Sequence, residues 1–135
     1  MKKPLKDILD AEPEYWTASP ERLAVVCNGV GPAKWPNLAR RIMDSGLLTL
    51  GMSFTASANI HDFDFSADPC CKSREHFEKV NQRFLRNNLA LVRRYTPWWA
   101  WNLRRNRRHL ARALYVAVKV GGWKHYMYSP QQTDG

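Results

Sequence analysis

The sequence predicts a mainly all-α domain. Three observations lead there. Phe77, Val80, Phe84 and Leu91 recur at helical offsets over Arg74 to Arg94. Leu103, Leu110, Leu114, Ala117 and Gly121 do the same over Ala100 to Val120. Between the two stretches stands only the breaker Tyr95-Thr96-Pro97-Trp98-Trp99, and so short a connection favours an antiparallel pair. A third helix, carrying His61-Asp62, is expected to pack across or beside the pair.

The elements follow in chain order. Residues 1–22 carry Pro4, Pro13 and Pro20 and are expected to be irregular and peripheral, with a turn of helix at Lys6 to Leu9. Ser19-Pro20 resembles a cap followed by Pro at the first helical position. Arg22 to Val26 reads as a short helix or an apolar strand. Cys27-Asn28-Gly29-Val30-Gly31-Pro32 is a turn-rich loop in which the two glycines permit positive φ and close backbone approach. Such a loop is either a plain connection or a way of aiming oxygens or amides at an ion. A helix is expected over Leu38 to Leu47. An uncharged stretch, residues 48–60, then enters the His61-Asp62 helix near Ser57, and that helix ends before Pro69. Ser73 is placed to cap the first long helix, and Gly121-Gly122 to end the second. Trp123 to Tyr128 is aromatic and basic, and the tail from Ser129 is polar and peripheral. At 135 residues the chain is read as one domain, 1–135.

The formal charge is +9, and it is uneven. Residues 1–67 hold 7 Lys and Arg against 8 Asp and Glu; residues 68–135 hold 14 against 4. Arg104, Arg105, Arg107, Arg108 and Arg112 crowd the second long helix, next to Trp98, Trp99 and Trp101. This is either a solvated face or a surface for an anionic phospholipid or acidic macromolecule. No helix-turn-helix, zinc-finger or RNA-binding signature occurs, so sequence-specific DNA reading is not expected. No segment is apolar and long enough to span a bilayer, and no signal-peptide pattern opens the chain. The cysteines, Cys27, Cys70 and Cys71, make a poor disulfide or zinc framework. A reduced cytoplasmic setting, peripheral to a membrane, is the expectation.

His61 is the natural general base near neutral pH. A base needs a group to hold its other nitrogen, and Asn81, on the apolar stripe of the first long helix, is placed to meet it. Asp62 lies about 100° round the helix from His61 and could grip a hard cation through oxygen. Packing roles for all three residues remain open on spacing alone.

His61-Asp62-Phe63-Asp64-Phe65 resembles the His-Asp-Phe-Gly-Tyr segment of the prokaryotic phospholipase A2 family. Two further segments match in order. Lys79-Val80-Asn81-Gln82-Arg83-Phe84 resembles that family's Ile-Asp-x-x-Phe piece, and Ala113 to Gly122 its Ala-x-x-Tyr-Tyr-x-Ala-Val-Arg-x-x-Gly piece. Cys27 to Pro32 stands where the family has its calcium loop. The resemblance spans about residues 27–126. It implies a phospholipase A2-like core and calcium-dependent hydrolysis of glycerophospholipid acyl esters. His61 would be the base, oriented by Asn81, and calcium would be held by Asp62 with Asn28, Gly29 and Gly31. The tryptophans and the basic helix would rest on anionic lipid.

Four departures bear on turnover. Asn81 stands where the family has an Asp, and Asn28 where its loop has one. The family's disulfides and its export signal have no counterpart. An amide fixes the imidazole tautomer but does not stabilise imidazolium; in serine proteases the analogous change costs about 10⁴-fold. The sequence therefore supports a weak hydrolase or, as the alternative, a catalytically impaired relative acting as a basic binding module. A third reading keeps the fold for assembly, as an accessory protein of a mobile element.

Overall fold

A computed structural model describes residues 4–26, 52–66 and 72–128. These residues are mainly helical, with no strand among them. A 3-10 turn, Leu5–Asp7, precedes α1 (Pro13–Thr17), α2 (Pro20–Val26), α3 (Thr55–Phe65), α4 (Arg74–Tyr95), α5 (Trp101–Gly121) and α6 (Trp123–Tyr128).

The two long helices form as their periodicity requires. Ser73 caps α4, its Oγ accepting from the His76 amide at 3.1 Å. Glu75 in the first turn and Arg93 and Arg94 in the last complement the helix dipole. The helix ends where Thr96 turns extended ahead of Pro97. Helix α5 ends at Gly122, whose amide donates to the Val118 carbonyl at 2.8 Å. A Cβ on Gly122 would lie 2.3 Å from that carbonyl oxygen, so only glycine fits here. The Gly122 carbonyl in turn accepts from the Tyr126 amide and starts α6.

The pair is antiparallel, and its two ends show it. At one end the start of α4 meets α6: the Lys72 ammonium donates to the Tyr126 carbonyl at 2.6 Å, and His76 Nδ1 bonds the Tyr126 hydroxyl at 2.6 Å. At the other end the Arg104 and Arg107 guanidiniums, on the first two turns of α5, donate to Thr96 just past the end of α4.

Between the helices Phe84, Leu91 and Val92 meet Ala111, Leu114, Ala117 and Val118. Helix α3 packs on α4 and contributes Ala58 and Ile60 to the same core. A second cluster, Phe65, Phe77 and Tyr126 with Trp123 against it, closes the α4–α6 end. The expected stripes hold, with one exception: Gly121 is exposed rather than on the core face.

The N-terminal segment departs from the peripheral role expected of residues 1–22. Leu9 is buried in the main core. Asn87 clamps the adjoining backbone in both directions. Its Oδ1 accepts from the Asp10 amide and its Nδ2 donates to the Asp10 carbonyl, both at 2.8 Å. A buried amide on α4 needs such partners, and the backbone at Asp10 supplies them. Arg22 to Val26, open between helix and strand on sequence, lies in the helix α2. The helix expected over Leu38 to Leu47 and the loop from Cys27 to Pro32 lie outside the described residues.

Candidate active site

Seven of the eleven residues of α3 are buried, so the helix is enclosed on more than one side. Small residues, Ala56, Ser57 and Ala58, allow close approach at its first turns. Three of its buried residues are polar, Ser57, His61 and Asp64, at offsets of four and three. That spacing puts them on one face, and the face is turned to α4. Ser57 Oγ donates to the Phe84 carbonyl at 3.4 Å. His61 meets Asn81, and Asp64 meets Arg83.

The His61–Asn81 contact is the pairing expected from the sequence. Nε2 lies 2.8 Å from Asn81 Oδ1, in the interior. A carboxamide oxygen only accepts, so Nε2 carries the proton and Nδ1 holds the lone pair of a neutral imidazole. The ring lies between Phe65 and Phe84, with centroids at 4.2 and 4.6 Å. It is 3% exposed. Burial among these rings pushes the imidazole down to about 4, against the opposing pull of the Asn81 acceptor. Asn81 Nδ2 is buried with no hydrogen-bond partner among the described residues. Leaving such a donor unpaired costs about 1–3 kcal/mol.

Asp64 stands out in the sequence only as part of the His-Asp run, yet in the structure it is buried and paired with Arg83. Arg83 Nη1 donates to both of its oxygens, at 3.1 and 3.2 Å. The same guanidinium reaches Asp10 through Nε at 3.1 Å and Glu12 through Nη2 at 3.0 Å. Burial raises the Asp64 carboxyl to about 6 against the pull of Arg83. Arg83 is therefore a hub that ties α3 and the N-terminal segment to α4. Its register two residues after Asn81 was visible in the sequence, but its three distant acidic partners were not.

Asp62 is half-buried on α3 next to His61. It is the one expected calcium ligand within the described residues, since Asn28, Gly29 and Gly31 lie outside them. Among the described residues no group of three or more His, Cys, Asp and Glu side chains could hold a metal ion. Calcium takes about 6–8 oxygens, so the described residues alone do not make a calcium site.

The basic face needs one correction. Arg107 is not on it. The side chain is 1% exposed, and Nη1 donates to Thr96 Oγ1 at 3.0 Å and to the Tyr95 carbonyl at 3.4 Å. Arg107 lies four residues after Leu103 and seven before Leu114, which is the core register of α5. Arg104 is half-buried and donates to the Thr96 carbonyl at 3.1 Å. Arg105, Arg108 and Arg112 are exposed, and Trp98, Trp99 and Trp101 are 81%, 65% and 66% exposed. No described helix is long and apolar enough to cross a membrane.

No protein-family model, curated protein or solved structure matches the chain.

Proposed function

We propose that the chain is a phospholipase A2-like protein and a weak, calcium-dependent hydrolase of glycerophospholipid acyl esters. The observation that carries the reading is the buried 2.8 Å hydrogen bond between His61 and Asn81. It joins two segments that resemble the family's base and its orienting residue, and it fixes the tautomer a base requires. His61 Nδ1 would take the proton from a water as that water attacks the acyl carbonyl. The imidazolium would then return the proton to the departing alcohol oxygen, leaving a fatty acid and a lysophospholipid. Calcium, with Asp62 and the loop at Asn28, Gly29 and Gly31 as the residues that would hold it, supplies charge stabilisation for the oxyanion and phosphate when bound.

Two features set the rate low. An imidazole held down to about 4 is neutral at pH 7 but accepts a proton weakly. Asn81 offers no negative charge to the imidazolium that forms.

The same burial favours a second reading, a binding module without turnover, because a ring 3% exposed admits little substrate. Calcium titration calorimetry on the wild type and Asp62→Ala, run beside fatty-acid release at millimolar calcium, separates the two. Hydrolysis predicts a calcium heat that Asp62→Ala removes, together with fatty-acid release. Absence of both leaves the binding reading.

A further inference from the structure

Helix α5 carries a second feature on the side away from the core. Trp101, Arg105, Arg108, Arg112, Val116 and Lys119 follow at spacings of four, three, four, four and three, and every one of them is exposed. Steps of three and four keep residues on one helical face. Ala111, Leu114, Ala117 and Val118, on the other side, are buried. The outer stripe runs from Trp101 to the exposed Val120, about 29 Å at 1.5 Å per residue. Trp98 and Trp99, in the turn that enters α5, extend it at one end. Helix α5 contains no acidic residue.

We propose that this stripe and the tryptophan turn form a docking surface for an anionic lipid bilayer, with α5 lying in the plane of the headgroups. The composition selects the occupant. Exposed arginines without intervening acid complement phosphate and carboxylate headgroups, and their long stems let the charge stay with the headgroups while apolar neighbours sink deeper. Tryptophan favours the boundary between headgroup and acyl chain. Val116 and Val120 decide against a nucleic acid. Aliphatic side chains at 51% and 80% exposure find no phosphate or base to bond, but gain from burial at an acyl boundary. The surface is separate from His61. His61 is 3% exposed and packed on Phe84 of α4 on the inner side, whereas the stripe lies on the face of α5 turned away from the core. Docking therefore requires neither turnover nor calcium.

The test is flotation of the full chain with vesicles in the presence of a calcium chelator. One set is phosphatidylcholine alone, and the other is equal parts phosphatidylcholine and phosphatidylserine. The wild type is expected to float with the anionic vesicles only. Arg105→Glu/Arg108→Glu/Arg112→Glu is expected to weaken partitioning by at least about a hundredfold. Trp98→Ser/Trp99→Ser/Trp101→Ser is expected to lose flotation while keeping its circular dichroism, because the replaced side chains are solvent-facing. No flotation with anionic vesicles, or flotation that both variants retain, overturns the proposal. So does tryptophan-dependent binding to single-stranded oligothymidylate that exceeds binding to the vesicles, which would assign the stripe to nucleic acid.

Discussion

His61 and Asp64, three residues apart on one buried face, respond to pH in opposite directions. For His61 the folded value is about 4 against an ordinary 6.5, so the unfolded chain takes up the proton first. Its contribution to stability is complete above about pH 6.5 and is lost as pH falls toward 4, on the order of 3 kcal/mol. For Asp64 the folded value is about 6 against 3.8, so the folded chain holds the proton longer. Stability from this group rises as pH falls from about 6 to 3.8. The two nearly offset each other in the wild type. Denaturant midpoints measured from pH 7 to pH 4 are expected to fall steeply in Asp64→Asn, where the burial-depressed imidazoles of His61 and His76 are no longer opposed. In His61→Gln they are expected to rise over the same range. Parallel slopes in the two variants would show that one of the assignments is wrong. The His61–Asn81 pairing was legible because Asn81 is a polar residue on the apolar stripe of α4, the face that has to meet another helix. The Asp64–Arg83 pair was not, since a period of 3.6 locates a buried face but does not name its partner.

Helices α4 and α5 were readable almost to the residue, because apolar side chains at offsets of three and four leave one arrangement that buries them. Arg107 shows where that reading failed. Its neighbours Arg105 and Arg108 suggested a basic face, whereas its own register, four after Leu103, placed it inward. Inside, its guanidinium ties the Tyr95–Thr96 corner to α5. Arg107→Met keeps much of the volume but strands the buried Thr96 hydroxyl. A loss of about 1–3 kcal/mol is expected, read as a lower thermal midpoint. Arg108→Met, on the exposed stripe, is expected to change the midpoint by no more than about 0.5 kcal/mol equivalent. The anchoring of Leu9 and Asp10 is hidden in the sequence for a different reason. The prolines of the N-terminal segment signal irregular backbone, and irregular backbone can still be clamped. Asn87→Ala removes both hydrogen bonds to the Asp10 peptide. Limited proteolysis of that variant is expected to cut between Asp7 and Glu12 well before the wild type is cut; equal rates would mean the clamp contributes nothing.

Among the described residues, opposite charges and like charges gather in different places across the molecule. The acidic groups that engage Arg83 come from the N-terminal segment and α3, and they join those parts to α4. Arg105, Arg108 and Arg112 are displayed on α5, which carries no acidic residue. Raising ionic strength screens both the repulsion among Arg105, Arg108 and Arg112 and the attraction of Arg83 for the exposed Asp10 and Glu12, so the thermal midpoint is expected to change little, while flotation with anionic vesicles is expected to fall. The central claim is that the buried His61–Asn81 pair is a catalytic base held by a weakened partner. It is tested most directly by fatty-acid release from phospholipid vesicles at millimolar calcium, comparing wild type, Asn81→Asp and His61→Gln. A carboxylate at position 81 restores the charge that stabilises imidazolium, so release is expected to be slow in the wild type, at least about a hundredfold faster in Asn81→Asp and absent in His61→Gln. An Asn81→Asp protein that is folded, by circular dichroism, and releases no more fatty acid than His61→Gln would contradict the account.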